Sequence, residues 1–150
     1  MLAYLLQHLI FCAVRPHEHP ECRTHLLLPG QSQTLADIPQ AAARAQLAQW
    51  LAYFRLGQSR PLPFFAKTGL AVAEVLSSNK ADSLERAQQS ARSEYHGSKK
   101  STGQRDYIEV DLVFGRDSVE PIDTPLFWNL LEDLLVPLLQ ALQAEAATAD

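Results

Sequence analysis

The sequence predicts a mixed α/β (α+β) fold, a small sheet flanked by four to five helices. Three observations carry that expectation. Apolar residues recur at helical spacing in most of the longer segments, one short apolar run is closed by Pro-Gly, and one stretch alternates apolar and polar residues as a half-buried strand does. At 150 residues the chain is long enough to bury a core of its own, and residues 1–150 are expected to form a single domain.

Leu2, Leu5, Leu6, Leu9, Ile10 and Ala13 fall on one face of an opening helix that ends near Arg15-Pro16. Pro16 to Glu21 holds two prolines and reads as a loop, and Thr24 to Leu28 as a buried strand stopped by Pro29-Gly30. A second helix follows, with Asp37 as its cap, Pro39 in its first turn and Gly57 at its end. Leu47, Trp50, Leu51 and Phe54 are expected to be its buried face. Phe64 to Leu76 suggests a short buried helix weakened at Gly69. Asp82 with Glu85 has the capping-box pattern for the next helix, whose stripe is Leu84, Ala87, Ala91 and Tyr95. Gly97 to Gln104 is polar and glycine-bounded, an exposed loop. Tyr107 to Phe114 alternates, which predicts a strand with Ile108, Val110, Leu112 and Phe114 on the core. Thr124 caps a final helix with Pro125 at its first position and Leu130, Leu131, Leu134, Leu138 and Leu142 inward, and Pro137 should bend it. Gly30 to Thr34 and Phe64 to Lys67 leave room for further short strands.

Composition narrows the class. Apolar residues make up 47% and charged residues 20%, the balance of a globular chain. No apolar run approaches the roughly 20 residues of a membrane span, and Leu2 to Ile10 lacks the preceding basic residue and following cleavage site of a signal peptide. Cys12 and Cys22 do not make a disulfide framework, so a cytoplasmic location is expected. Charge is uneven. Residues 1–105 carry 12 bases and 7 acids, a net of +5, whereas residues 106–150 carry one base and 10 acids, a net of −9. Such a division suits a surface that meets partners of different charge, and equally suits acids that simply solvate the last helix.

Candidate chemistry is sparse. His17, His19, Cys22 and His25 are four potential zinc ligands within nine residues, but they fit no usual finger spacing. Glu109 and Asp111, two apart on the predicted strand, are placed to hold Mg²⁺, although Val113 stands where a lysine would be wanted. Lys99, Lys100 and Arg105 flank the polar loop and are candidate phosphate contacts, with Tyr95 or Tyr107 near for stacking. Plainer readings stand beside each: loop histidines, solvent-facing acids, a solvated loop. Cys12 reads as a small buried hydrophobe. There is no phosphate loop, nucleophile elbow or Cys-x-x-Cys, so no catalytic residue, metal or cofactor is expected.

A succession of motifs does carry a resemblance. Residues 61–95 join Pro-Leu-Pro-Phe-Phe to Lys-Thr-Gly-Leu-Ala and then to the Ala87, Ala91, Tyr95 repeat. Gly103-Gln-Arg-Asp-Tyr107 leads to Val113-Phe-Gly-Arg116, and the closing helix carries Phe127-Trp128 and Leu135-Val-Pro-Leu-Leu139. Together with Gln7-His8-Leu9 and Cys12-Ala13, this order resembles the C-terminal domain of the exodeoxyribonuclease V gamma chain, the RecC family. The resemblance covers essentially the whole chain and is most specific from 57 to 139. Because that family's chains exceed about a thousand residues, it implies a fragment of a longer protein.

It also implies a subunit of an ATP-dependent helicase–nuclease that processes double-strand ends for recombinational repair and Chi recognition. The beta and alpha chains are the implied partners, with DNA met through the complex and no membrane. A fold similar to an inactive PD-(D/E)xK nuclease is implied too. The domain itself is then a docking scaffold, with Leu135 and Leu139, off the main stripe of the last helix, as candidate partner surface. A Mg²⁺-dependent nuclease built on Glu109 and Asp111 and a stand-alone DNA-binding module are the alternatives.

Overall fold

The apolar spacing of the first residues is realised as α1, Leu2–Val14, which turns Leu5, His8, Leu9, Cys12 and Ala13 inward. This computed structural model describes residues 1–16, 21–28, 31–78, 82–98, 101–115 and 118–143. The chain divides into two compact units, Met1–Tyr53 with Pro137–Asp150, and Phe54–Val136. Its architecture is mixed α+β, with helices predominating over two small antiparallel hairpins.

In the first unit, β1 (Thr24–Leu28) pairs antiparallel with β2 (Gln31–Leu35), Thr24 opposite Leu35 and His25 opposite Thr34. Period-two alternation follows: Leu26 is buried and Leu27 is exposed, so β1 has one covered face rather than two. The ladder fills the room left for a second strand at Gly30 to Thr34. Helix α2 runs Gln40–Gly57 and stops at Gly57, as the sequence suggests. Its beginning differs. Asp37 lies three residues before the helix and is drawn instead to Arg15 and to the Cys22 amide. The first residues of α2 serve α1: Gln40 Nε2 donates to Arg15 O at 2.8 Å and Arg44 Nε to Ala13 O at 2.9 Å. These bonds satisfy terminal carbonyls of a helix whose last turn has no basic residue of its own. The expected buried face of α2 is not realised. Leu51 and Phe54 are mostly exposed, Leu47 and Trp50 half-buried, and Ala43 is the residue it buries.

The second unit is built on α3 (Ala66–Ser77) against α4 (Ser83–His96). Phe64 to Lys67 forms no strand, because helix α3 begins inside it at Ala66. Gly69 is a point of close approach rather than weakness: a Cβ there would lie 2.9 Å from Leu135 Cδ1 and 3.0 Å from Leu131 Cδ2. Ala87, Ala91 and Tyr95 bury the stripe of α4, while Leu84 is exposed. Asp82 stands at the N-cap of α4, but its side chain caps no amide and lies 4.0 Å from Arg86 instead. Phe65 centres an aromatic cluster, its ring 5.1 Å from Tyr95, 5.8 Å from Phe114 and 6.3 Å from Phe127.

Gly97 to Gln104 is not a simple loop. Gly97, at φ +74°, starts a hairpin of β3 (Gly97–Ser98) and β4 (Ser101–Thr102). A 3-10 turn over Gln104–Asp106 follows, with Gln104 buried. The segment read as a strand is a helix, α5, Ile108–Phe114. A lone strand needs a neighbour for its amides and carbonyls, and no strand among the described residues lies beside it. The helix satisfies them locally, with Val110 N–H and Asp111 N–H both donating to Tyr107 O.

A second 3-10 turn, Pro121–Asp123, leads to Thr124, whose Oγ1 accepts from Phe127 N–H, and Pro125 opens α6, Pro125–Leu130. Leu131–Leu135 widens into a π-type turn, Val136 N–H donating to Leu131 O, before α7, Val136–Gln143. Pro137 explains it: the ring has no N–H for the carbonyl four residues back and crowds it, and a wider turn relieves both. Among the described residues no helix is long and apolar enough to cross a membrane.

Candidate functional site

The densest group of chemistry-bearing side chains lies in the first unit. His8 and Cys12 are four apart, so α1 stacks them on its buried face. His8 is fully buried, with Nε2–H donating to Ala36 O at 2.6 Å and Nδ1 accepting from Thr24 Oγ1 at 2.8 Å. A carbonyl only accepts, which fixes the tautomer. Cys12 Sγ lies 3.5 Å from His8 Nε2 and 3.9 Å from Asp37 Oδ1. Asp37 Oδ1 also accepts from Cys22 N–H at 2.9 Å and pairs with the Arg15 guanidinium, which fastens the Cys22 segment over the end of α1. The ligand atoms of His8, Cys12 and Cys22 lie within 4.8 Å of one another. Both cysteines are free thiols. Burial, the largest cause, pushes the Cys12 thiol from 9.0 up to about 11, with nearby Cys22 and Asp37 adding to it and a backbone hydrogen bond at Ile38 opposing.

Of the four residues the sequence groups as zinc ligands, Cys22 belongs to this cluster. His25 is exposed on β1, its Nδ1 3.0 Å from Thr34 Oγ1 across the ladder. His17 and His19 lie outside the described residues. Sequence reasoning missed His8 and Cys12. The signal is a His-x-x-x-Cys spacing on a helix, but Cys12 reads as a small buried hydrophobe and His8 stands outside the apolar set of that helix.

In the second unit, helix α5 replaces the expected acid-bearing strand. Two residues apart on a helix are separated by roughly 200°, so Glu109 and Asp111 do not share a face. Asp111 lines a shallow pocket with Arg105, Asp106 and Ile108, which Glu109 does not line. The paired-carboxylate geometry is therefore not formed.

Lys99 and Lys100 lie outside the described residues. Arg105 is exposed but engaged: its Nη1 is 3.3 Å from Glu120 Oε1, and the other oxygen of that carboxylate is 3.0 Å from His96 Nε2. Tyr95 is packed against Phe65 and is closed to stacking, whereas Tyr107 is open. Leu135 is fully buried against the Gly69 position, so its surface is spent inside its own unit, and Leu139 is half-buried.

The exposed apolar side chains lie elsewhere. Helix α5 buries none of its residues completely and exposes Ile108 and Leu112 by 69% and 77%. Helix α1 shows solvent a row of Tyr4, Phe11 and Val14 opposite its buried face, and Ile10, expected on the apolar face, is exposed as well, at the edge of that row.

A family model described as the RecC C-terminal domain matches residues 1–77. That span holds α1, the β1–β2 hairpin, α2, α3 and every residue of the His8 cluster. The later motifs, from Ser78 onward, lie beyond it. No curated protein matches the chain.

Proposed function

The chain belongs to the RecC C-terminal domain family, and from that premise we propose that residues 1–150 act as a single, non-catalytic docking domain. Its setting is the gamma subunit of exodeoxyribonuclease V in the cytoplasm. Its partners are the beta and alpha chains of that ATP-dependent helicase–nuclease, and it meets DNA through the complex that processes double-strand ends for repair.

The observation that carries this reading is the apolar surface that α5 exposes in the second unit, with a separate apolar row on α1 in the first. Burying apolar area is favourable by roughly 25 cal/mol per Å², so Ile108, Leu112, Phe11 and Val14 favour a protein surface that covers them. The acidic tract around α5 then sets orientation and encounter rate rather than raw affinity. Absence of catalysis is supported by the placement of Glu109 and Asp111 on different faces of α5. A subordinate role in DNA contact is supported by Arg105, whose charge is already met by Glu120.

Size-exclusion chromatography with purified beta and alpha chains tests the proposal, run beside the chain with linear DNA and Mg²⁺. Co-elution with a partner chain and intact DNA is expected. Mg²⁺-dependent cutting that is lost in Asp111→Ala would overturn the non-catalytic reading. A DNA shift that falls steeply with salt, without partner binding, would overturn the docking role.

A further inference from the structure

We propose that His8, Cys12 and Cys22 form a zinc-binding site, with the fourth position beside Asp37. The inference does not depend on the docking role. Zinc takes thiolate sulfur at about 2.3 Å and imidazole nitrogen at about 2.0–2.1 Å, which makes the nitrogen-to-sulfur edge of a tetrahedral site about 3.5 Å. Cys12 Sγ and His8 Nε2 are 3.5 Å apart, and Cys22 Sγ completes a triangle within 4.8 Å. Two of the three ligands are fully buried and the nitrogen–sulfur pair is already at ligand spacing, so what remains is for Cys22 Sγ to close toward the roughly 3.8 Å sulfur–sulfur edge of a tetrahedral site and for His8 Nε2 to turn from Ala36 O.

The surroundings suit the ion as well. A metal-bound histidine needs its second nitrogen held, and Thr24 Oγ1 lies 2.8 Å from His8 Nδ1 to accept that N–H once Nε2 turns from Ala36 O to the metal. Asp37 Oδ1, 3.9 Å from Cys12 Sγ, holds the Cys22 amide and with it the third ligand. Cys22 is half-buried, which leaves a route in for the ion. Charge balances: binding releases one proton from each thiol to solvent, and two thiolates with neutral imidazole cancel the dication, so no net charge is left buried.

The test uses the reduced 150-residue chain and cobalt(II) as a chromophoric probe, in an excess of a phosphine reductant. Expected are thiolate-to-cobalt charge-transfer absorption with tetrahedral ligand-field bands, saturating at a single metal per chain and bleached by zinc. Cys22→Ser should abolish the charge-transfer band or weaken binding at least tenfold while leaving the circular dichroism unchanged. Thr24→Val should keep the bands and weaken binding by about 10–100-fold. Either the absence of cobalt bands or a Cys22→Ser variant that keeps the bands at the parent's affinity overturns the site. Bands lost in His25→Ala but retained in Cys22→Ser would move the metal to the loop histidines and overturn it equally.

Discussion

Gly69 shows how one missing side chain decides a packing contact. In an open helix, Gly to Ala is stabilising by about 1 kcal/mol. Here the new methyl would press on Leu131 and Leu135, both buried, so gain and crowding should nearly cancel in Gly69→Ala. Gly69→Val has no such balance and should cost about 1–3 kcal/mol, read as a lower urea midpoint at unchanged slope. Cys12 makes a different forecast. Its thiol keeps its proton to about pH 11 in the folded protein, whereas an ordinary thiol loses it near 9.0. The folded state therefore binds the proton more tightly. This contribution is full below pH 9 and is lost as pH climbs toward 11. Tyr95, its hydroxyl raised mainly by burial, has the same sign. Urea midpoints should fall across that window, less steeply in Cys12→Ala, and a flat profile in the parent chain would contradict the assignment.

Among the elements, α3 depends on a distant residue. Phe65 at its N-cap supplies no side-chain hydrogen bond, and the orphan amide of Thr68 is met by Gln104 from far along the chain. Gln104 Oε1 accepts from Thr68 N–H at 2.8 Å and from Thr68 Oγ1 at 2.7 Å, all of it buried. Gln104→Leu should leave both donors unmet and cost about 1–3 kcal/mol in chemical denaturation. Much of the helical architecture was legible because its signals are local: the spacing of α1, Gly57 ending α2, and Thr124-Pro125 opening α6. What failed was non-local. Asp37 has the right chemistry for a cap, but Arg15 and Cys22 compete for it across the fold. The alternation of 108–114 reads as a strand only if a neighbouring strand exists, and the sequence gives no way to see that none is beside it. His8 and Cys12 were hidden for the opposite reason, since a buried face looks the same whether it packs or coordinates.

For the whole molecule, the central question is what covers the apolar rows. The net charge of −4, concentrated at −9 beyond residue 105, works against independent binding to a polyanion and suits a partner with a basic surface. Ile108 and Leu112 touch little of their own chain, so Ile108→Asp with Leu112→Asp should change stability by no more than about 0.5 kcal/mol. Loss of binding in that variant would then report the interface and not the fold. The most direct measurement is sedimentation or size-exclusion titration of the purified beta and alpha chains with the parent chain and with this double variant. Docking through α5 predicts a stable complex with the parent chain, weakened at least tenfold in the variant, with linear DNA left intact throughout. No complex with either chain, or a variant that binds as tightly as the parent, would contradict it.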